Sequence, residues 1–268
     1  MRSAFLTRVC TLVVLSAFMT VFGAGAAAAA GKADAEYLPP GDFDPRKALE
    51  LVFPKLETKD DVLRWMPPEE MRKALGPEPF QVSVLSAQAF RQGDADRTYL
   101  VVQLVQELEQ GFDCHGCQPG IGAATFTSTE EGWRLDALNR YAGDVGSWGK
   151  APEPEIVKLG PERYGIAFQS MYVGQGNAHV SETYFLEAGN SVDEVLFIET
   201  HWDNSGRCIP EDEEAERCTE FDSTLEFVPG KNAEIFDLKV TKTATHDESF
   251  REETLYTYVD GKYQTTSP

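Results

Sequence analysis

Phe80-Gln81-Val82-Ser83-Val84 (FQVSV, residues 80–84) is where the spacing of apolar residues changes from helical to two. The same period returns in Trp133, Leu135 and Ala137, set between Arg134 and Asp136, and in Phe236, Leu238 and Val240, set between Asp237 and Lys239. An extended chain points alternate side chains to opposite faces, so each stretch reads as a strand with one buried face. Tyr99–Val102 and Val195–Ile198 are instead unbroken apolar runs, as expected of strands covered on both faces near the middle of a sheet.

Turn signals separate these runs at short intervals: Glu131-Gly132, Gly174-Gln175-Gly176-Asn177, Gly189-Asn190, Pro229-Gly230-Lys231-Asn232 and Asp260-Gly261. Hairpins in series give antiparallel sheets. Roughly ten strands are too many for one strongly twisted flat sheet, so the expected fold is mainly β, with antiparallel meander sheets arranged as a sandwich or a barrel-like sheet. Strand, cysteine loop, strand, turn and strand recur at an offset of about 94–101 residues, which fits two related β units. Any meander produces a similar match, so that repeat stays one of two readings.

Upstream, residues 31–79 read as a linker with short helices. Asp44-Pro45 ahead of RKALELVF is an N-cap followed by proline at the first helical position. Thr58 with Asp61, then Val62, Leu63 and Trp65, has the pattern of a capping box opening a second helix. Pro67-Pro68 precedes a third, EEMRKAL, which stops at Gly76-Pro77. Residues 80–268 then form the antiparallel β domain.

The first thirty residues have the order of an export signal: Arg2 and Arg8, an uncharged apolar stretch, then GAGAAAAA, with cleavage after Ala30 or Ala35. The uncharged run ends in Gly and Ala, which contribute little transfer energy, so cleavage is favoured over a membrane anchor. Cys10 lies inside the apolar stretch and not directly after it, which disfavours lipid attachment. The expected location is periplasmic or secreted.

Of the 268 residues, 24 are Lys or Arg and 44 are Asp or Glu, a formal net charge of −20. Loss of Arg2 and Arg8 with the signal takes it to −22. Such a chain repels phosphate backbones and anionic lipid heads, so neither nucleic acid nor a membrane surface is an expected partner after cleavage. Cleavage also leaves four cysteines, Cys114, Cys117, Cys208 and Cys218, and an even set in an exported chain suggests disulfides. The local pairings, Cys114 with Cys117 and Cys208 with Cys218, require no assumption about the fold.

Asp113-Cys114-His115-Gly116-Cys117 is the strongest chemical candidate. Two cysteines at this spacing serve as a redox disulfide, half a zinc site, a haem attachment point or a tight structural bridge. Haem attachment requires His directly after the second Cys, where this chain has Gln118. Metal capture by Cys114, His115 and Cys117 requires further ligands, and His179, His201 and His246 show no paired spacing with one another or with Cys208 and Cys218. A redox role requires a helix starting at the first Cys, whose dipole would stabilise the thiolate. Here Pro119, Gly120 and Gly122 follow, and the chain continues as a strand, AATFTS. The simplest reading is a bridge that pins a strand corner and leaves His115 exposed.

Ser147-Trp148-Gly149-Lys150 matches the S-x-x-K pattern of serine enzymes, but Gly146, Gly149 and Pro152 oppose the helix that this chemistry needs. The segment reads instead as a glycine-rich loop in which Trp148 covers the core edge. Glu211, Asp212, Glu213, Glu214 and Glu216, enclosed by Cys208 and Cys218, are candidate calcium ligands together with Asp203 and Asn204. The spacing of an organised calcium loop is absent, and a solvated charge run explains the acids as well. With no catalytic constellation and no cofactor motif, the expected function is an exported binding or interaction protein, its ligand a protein or small molecule. The alternatives are a thiol-redox protein or metal capture at Cys114–Cys117.

Overall fold

A computed structural model describes residues 36–109, 111–112, 114–208, 218–231, 234–245 and 250–265. The expected export signal and both its expected cleavage points, Asp113, the acids at 211–216 and His246 lie outside the described residues. Among those described, the chain forms fifteen strands and two short helices. The strands make two antiparallel sheets, as the short turns between successive strands require.

The first sheet holds β1 (Tyr37–Leu38), β2 (Glu57–Lys59), β3 (Val62–Trp65), β4 (Phe80–Gln92), β5 (Ala95–Gln106), β6 (Gly120–Thr129) and β7 (Gly132–Asp144). Their order is β1-β7-β6-β5-β4-β3-β2, a meander with β1 added at the β7 edge. The second holds β8 (Glu155–Gly160), β9 (Arg163–Gly174), β10 (Asn177–Ala188), β11 (Ser191–Asp203), β12 (Glu220–Val228), β13 (Asp237–Ala244), β14 (Arg251–Val259) and β15 (Lys262–Thr265), each beside its sequence neighbour. In both sheets a disulfide-bearing loop joins adjacent strands, β5 to β6 and β11 to β12.

The helices are α1 (Pro45–Val52) and α2 (Glu69–Leu75). Asp44 caps α1 by accepting from the backbone N–H groups of Arg46 (3.0 Å) and Lys47 (3.2 Å), and Pro45 sits at the first helical position. The helix expected at Thr58–Trp65 does not form. Asp60 and Asp61 both take positive φ (53° and 61°), so the chain reverses in a two-residue turn and β2 pairs with β3. Aspartate tolerates the left-handed region because its short side chain bonds locally, and two in succession suit the mirror-image turn that matches strand twist. β3 continues onto β4 through Arg64–Gln81 and Trp65–Phe80, joining this segment to the first sheet.

Three apolar clusters hold the fold. In the first, Ala48, Leu49, Val52 and Phe53 of α1 and its end pack with Trp65 and Phe80 on Leu100, Val102, Leu104 and Phe126. The second lies between the sheets, where Tyr99, Val101, Ile121 and Ala123 meet Ile166, Phe168 and Phe185. The third lies within the second sheet, with Leu186, Leu196, Ile198, Leu238 and Tyr263 among its members. Tyr99–Val102 is buried throughout, which explains its unbroken apolar run: its side chains divide between the first two clusters.

Candidate functional site

Along β10, the odd-numbered residues Glu187, Phe185, Thr183, Ser181 and His179 fall on one face. Phe185, Thr183, Ser181 and His179 pair in register with Ile166, Phe168, Ser170 and Tyr172 of β9. On the other side, Phe197, Glu199 and Trp202 of β11 stand opposite Thr183, Ser181 and His179. One extra β11 residue, Thr200, is absorbed in a bulge between Val180 and Ser181. The face is apolar where it meets the first sheet and becomes aromatic and polar beyond it.

The C-x-x-C loop and the turn at 147–150 fold over this outer part. Cys114 is bonded to Cys117, and the N–H of Cys117 donates to the carbonyl of Cys114 at 2.9 Å. The His115 ring is therefore not simply exposed, as its sequence suggests; it stacks between Trp148 (4.8 Å between centroids, 21° between planes) and Tyr172 (4.5 Å, 14°). It also lies over Gly174, where a Cβ would come within 2.9 Å of His115 Cε1, so a larger residue there would displace the ring. Tyr172 meets the edge of His179 at 5.5 Å, and His179 meets Trp202 at 4.4 Å. The result is a row of five rings from Trp148 to Trp202.

Ser147-Trp148-Gly149-Lys150 is a hairpin turn, with Ser147 N–H to Lys150 O at 3.2 Å and Lys150 N–H to Ser147 O at 2.9 Å. Both central residues have positive φ, +54° for Trp148 and +67° for Gly149. Glycine accepts that conformation freely, but tryptophan does so at a cost of about 1–2 kcal/mol. Gly149 is required twice over, because of its positive φ and because a Cβ would lie 2.3 Å from Phe112 O; its N–H donates to Cys117 O at 2.8 Å. Trp148 does not cover the core edge as its loop suggests; it stays 53% exposed against His115. A strained backbone that holds a large ring out in solvent is a signature of a site.

Between these elements lies a cavity of about 360 Å³, its walls including His115, Tyr172, His179, Ser181, Phe197 and Glu199. His179 Nδ1 lies 3.0 Å from Glu199 Oε1, which orients the imidazole. Met171 and Phe197 at its rim are 67% and 60% exposed. Scattered exposed apolar side chains are ordinary, but several around one concave site suggest contact with something else.

Other residues singled out in the sequence lie apart from this row. Cys208 is bonded to Cys218 with Cα atoms 5.1 Å apart. Asp203 accepts from the Ser205 N–H and hydroxyl, and buried Asn204 accepts from Thr219 N–H at 2.7 Å, so both organise the base of that loop. His201 faces Asp222 at 2.9 Å. No group of three or more His, Cys, Asp or Glu able to hold a metal ion occurs among the described residues. With their sulfurs joined, Cys114 and Cys117 have no thiolate to offer a metal.

Nothing in the sequence marks Tyr172, Phe197 or Glu199 as site residues, and His179 stands out there only as a metal candidate. The useful signal was the two-residue turn Gln175-Gly176, which sets the β9–β10 register and puts Tyr172 opposite His179. Compared with known protein families, curated proteins and solved structures, the chain matches none.

Proposed function

We propose that this is an exported, non-catalytic binding protein, and that the groove beneath the C-x-x-C loop, whose His115 ring Trp148 backs, is where it takes its ligand. The charged, apolar and small-residue order of the first thirty residues supports export, as do the two disulfides. No helix among the described residues is long and apolar enough to cross a membrane.

The observation that carries the binding reading is Trp148 itself, a bulky residue held in the left-handed region, half exposed, at the end of a stack of rings. The cavity's size falls in the range of small-ligand sites, and its mixture of rings with a few polar groups is typical of them. His179 hydrogen-bonds to Glu199 and to no hydroxyl among the described residues, so no activated nucleophile accompanies the dyad. A library of small apolar and aromatic molecules, screened by saturation-transfer NMR, tests this reading. Wild-type protein should give hits that a folded Trp148→Asn/Phe197→Ser variant loses; identical hits from both proteins would contradict it.

Thiol–disulfide exchange is a second reading, favoured by the exposure of Cys114. Against it, Cys114 opens a turn and β6 follows from Gly120, so no helix dipole is present to stabilise its thiolate. Equilibration against glutathione decides: a reduction potential below about −300 mV marks a structural bridge.

A further inference from the structure

We infer that the groove selects small organic cations, amines or quaternary ammonium groups with an apolar body. This rests on the groove being the ligand site and adds the class of ligand. Apart from two histidines and the Tyr172 phenol, Glu199 is the one ionisable group on the cavity wall among the described residues; that wall has no Lys or Arg, and Lys150 belongs to the adjoining depression beyond Trp148. The apolar walls are Tyr172, Phe197 and Met171, soft or aromatic surfaces that attract a cation through the negative face of a ring or a polarisable sulfur. His179 Nδ1 lies 3.0 Å from Glu199 Oε1, a contact that holds the carboxylate next to those rings.

The neighbouring compartment, which shares Phe197 and Glu199, already has such an arrangement. There Lys242 Nζ sits 3.4 Å from the centre of the Phe221 ring, with Glu252 on the same wall. The chain's own ammonium occupies one compartment in the way that a ligand's would occupy the other. At longer range, a net charge of −20 raises the local concentration of cations and depletes anions.

Choline and its uncharged carbon analogue dimethylbutanol are the probes, titrated into the full chain with its disulfides intact. Binding is followed by calorimetry and by the amide shifts of His115, Tyr172 and His179. Choline should bind at least about tenfold more tightly than the alcohol, and Glu199→Gln should bring the two close together. If that variant does not fold, ionic strength replaces it: added salt should weaken choline and leave the alcohol unchanged. Equal binding of the two probes would overturn the cation preference and leave the groove as a ligand site. Binding of neither would also overturn it, and the groove would then be judged by the fragment screen on Trp148→Asn/Phe197→Ser.

Discussion

At the Glu187 end of β10, one face of the strand is closed by charge; at the His179 end, the same face is left open and lined with rings. Glu187 receives a hydrogen bond from Arg97 Nη2 (2.5 Å), which crosses from the first sheet. Arg97 also donates to Asp136 (3.1 Å), Gln92 (2.9 Å) and Thr127 (3.1 Å), and only 7% of it is exposed. Arg134 donates to the other Asp136 oxygen, so the guanidinium and both carboxylates are compensated. At the His179 end, Trp148 accepts backbone strain, and Phe197 and Met171 remain in solvent. One end spends its chemistry on joining the sheets, and the other leaves surface unused for stability.

Removing the charge at the closed end should have the largest effect. Arg97→Met takes the guanidinium from Glu187 and leaves Asp136 with Arg134 as its cation partner, in a poorly solvated site, and a loss of about 3–5 kcal/mol in urea unfolding is expected. A loss below about 1 kcal/mol would mean that the network is not what joins the sheets.

The disulfides come next. In the loop-entropy picture, replacing Cys208 and Cys218 by serine costs roughly 3 kcal/mol and replacing Cys114 and Cys117 roughly 2 kcal/mol, since the second loop is shorter. Only the second replacement should also release His115 from its stack and weaken binding in the groove.

Alkaline pH separates the ends in another way. Burial raises the Tyr99 phenol above its ordinary 10.0, with the nearby Glu187 charge adding to the effect; burial also raises Tyr184, reinforced by its hydrogen bond to Glu182. Because these pKa values are higher folded than unfolded, their stabilisation is complete below pH 10.0 and is lost as pH rises beyond it. Tyrosinate absorbance from these residues should therefore appear together with unfolding, in one cooperative step. Gradual ionisation of Tyr99 in a folded protein would show that the closed end admits solvent.

Trp148→Asn should have the smallest effect. Asparagine suits the left-handed position, so relief of about 1–2 kcal/mol of strain offsets a lost stack worth about 0.5–1.5 kcal/mol. Stability should stay within about 0.5 kcal/mol while binding weakens, because the His115 ring on the cavity wall loses its backing. A large fall in stability would instead make Trp148 part of the core.

The closed part of the fold was easier to read from sequence than the open part. Phe80 and Val82, buried between exposed Gln81 and Ser83, and the unbroken run at Tyr99–Val102 report burial directly, because burial is what sets those patterns; Val84 is 37% exposed, and a bulge at Asp136 puts Ala137 in a different cluster from Trp133 and Leu135. The hairpin at 57–65 was misread because Thr58 and Asp61 have capping-box spacing, whereas the chain uses Asp60 and Asp61 for left-handed turn geometry. At the open end, CHGC drew attention for its sulfurs, but it is the His115 ring that enters the row. The position of Trp202 beside His179 depends on the bulge at Thr200, and an inserted residue of that kind leaves no period to read.

The most direct measurement is an amide shift map of the protein titrated with a hit from the fragment screen. If the His179 end is the binding end, perturbations should gather at 115–118, 146–148, 170–172, 179–181 and 197–199, with Arg97, Asp136 and Glu187 unmoved. Perturbations centred on Arg97 and Glu187, or spread evenly over both sheets, would contradict that assignment.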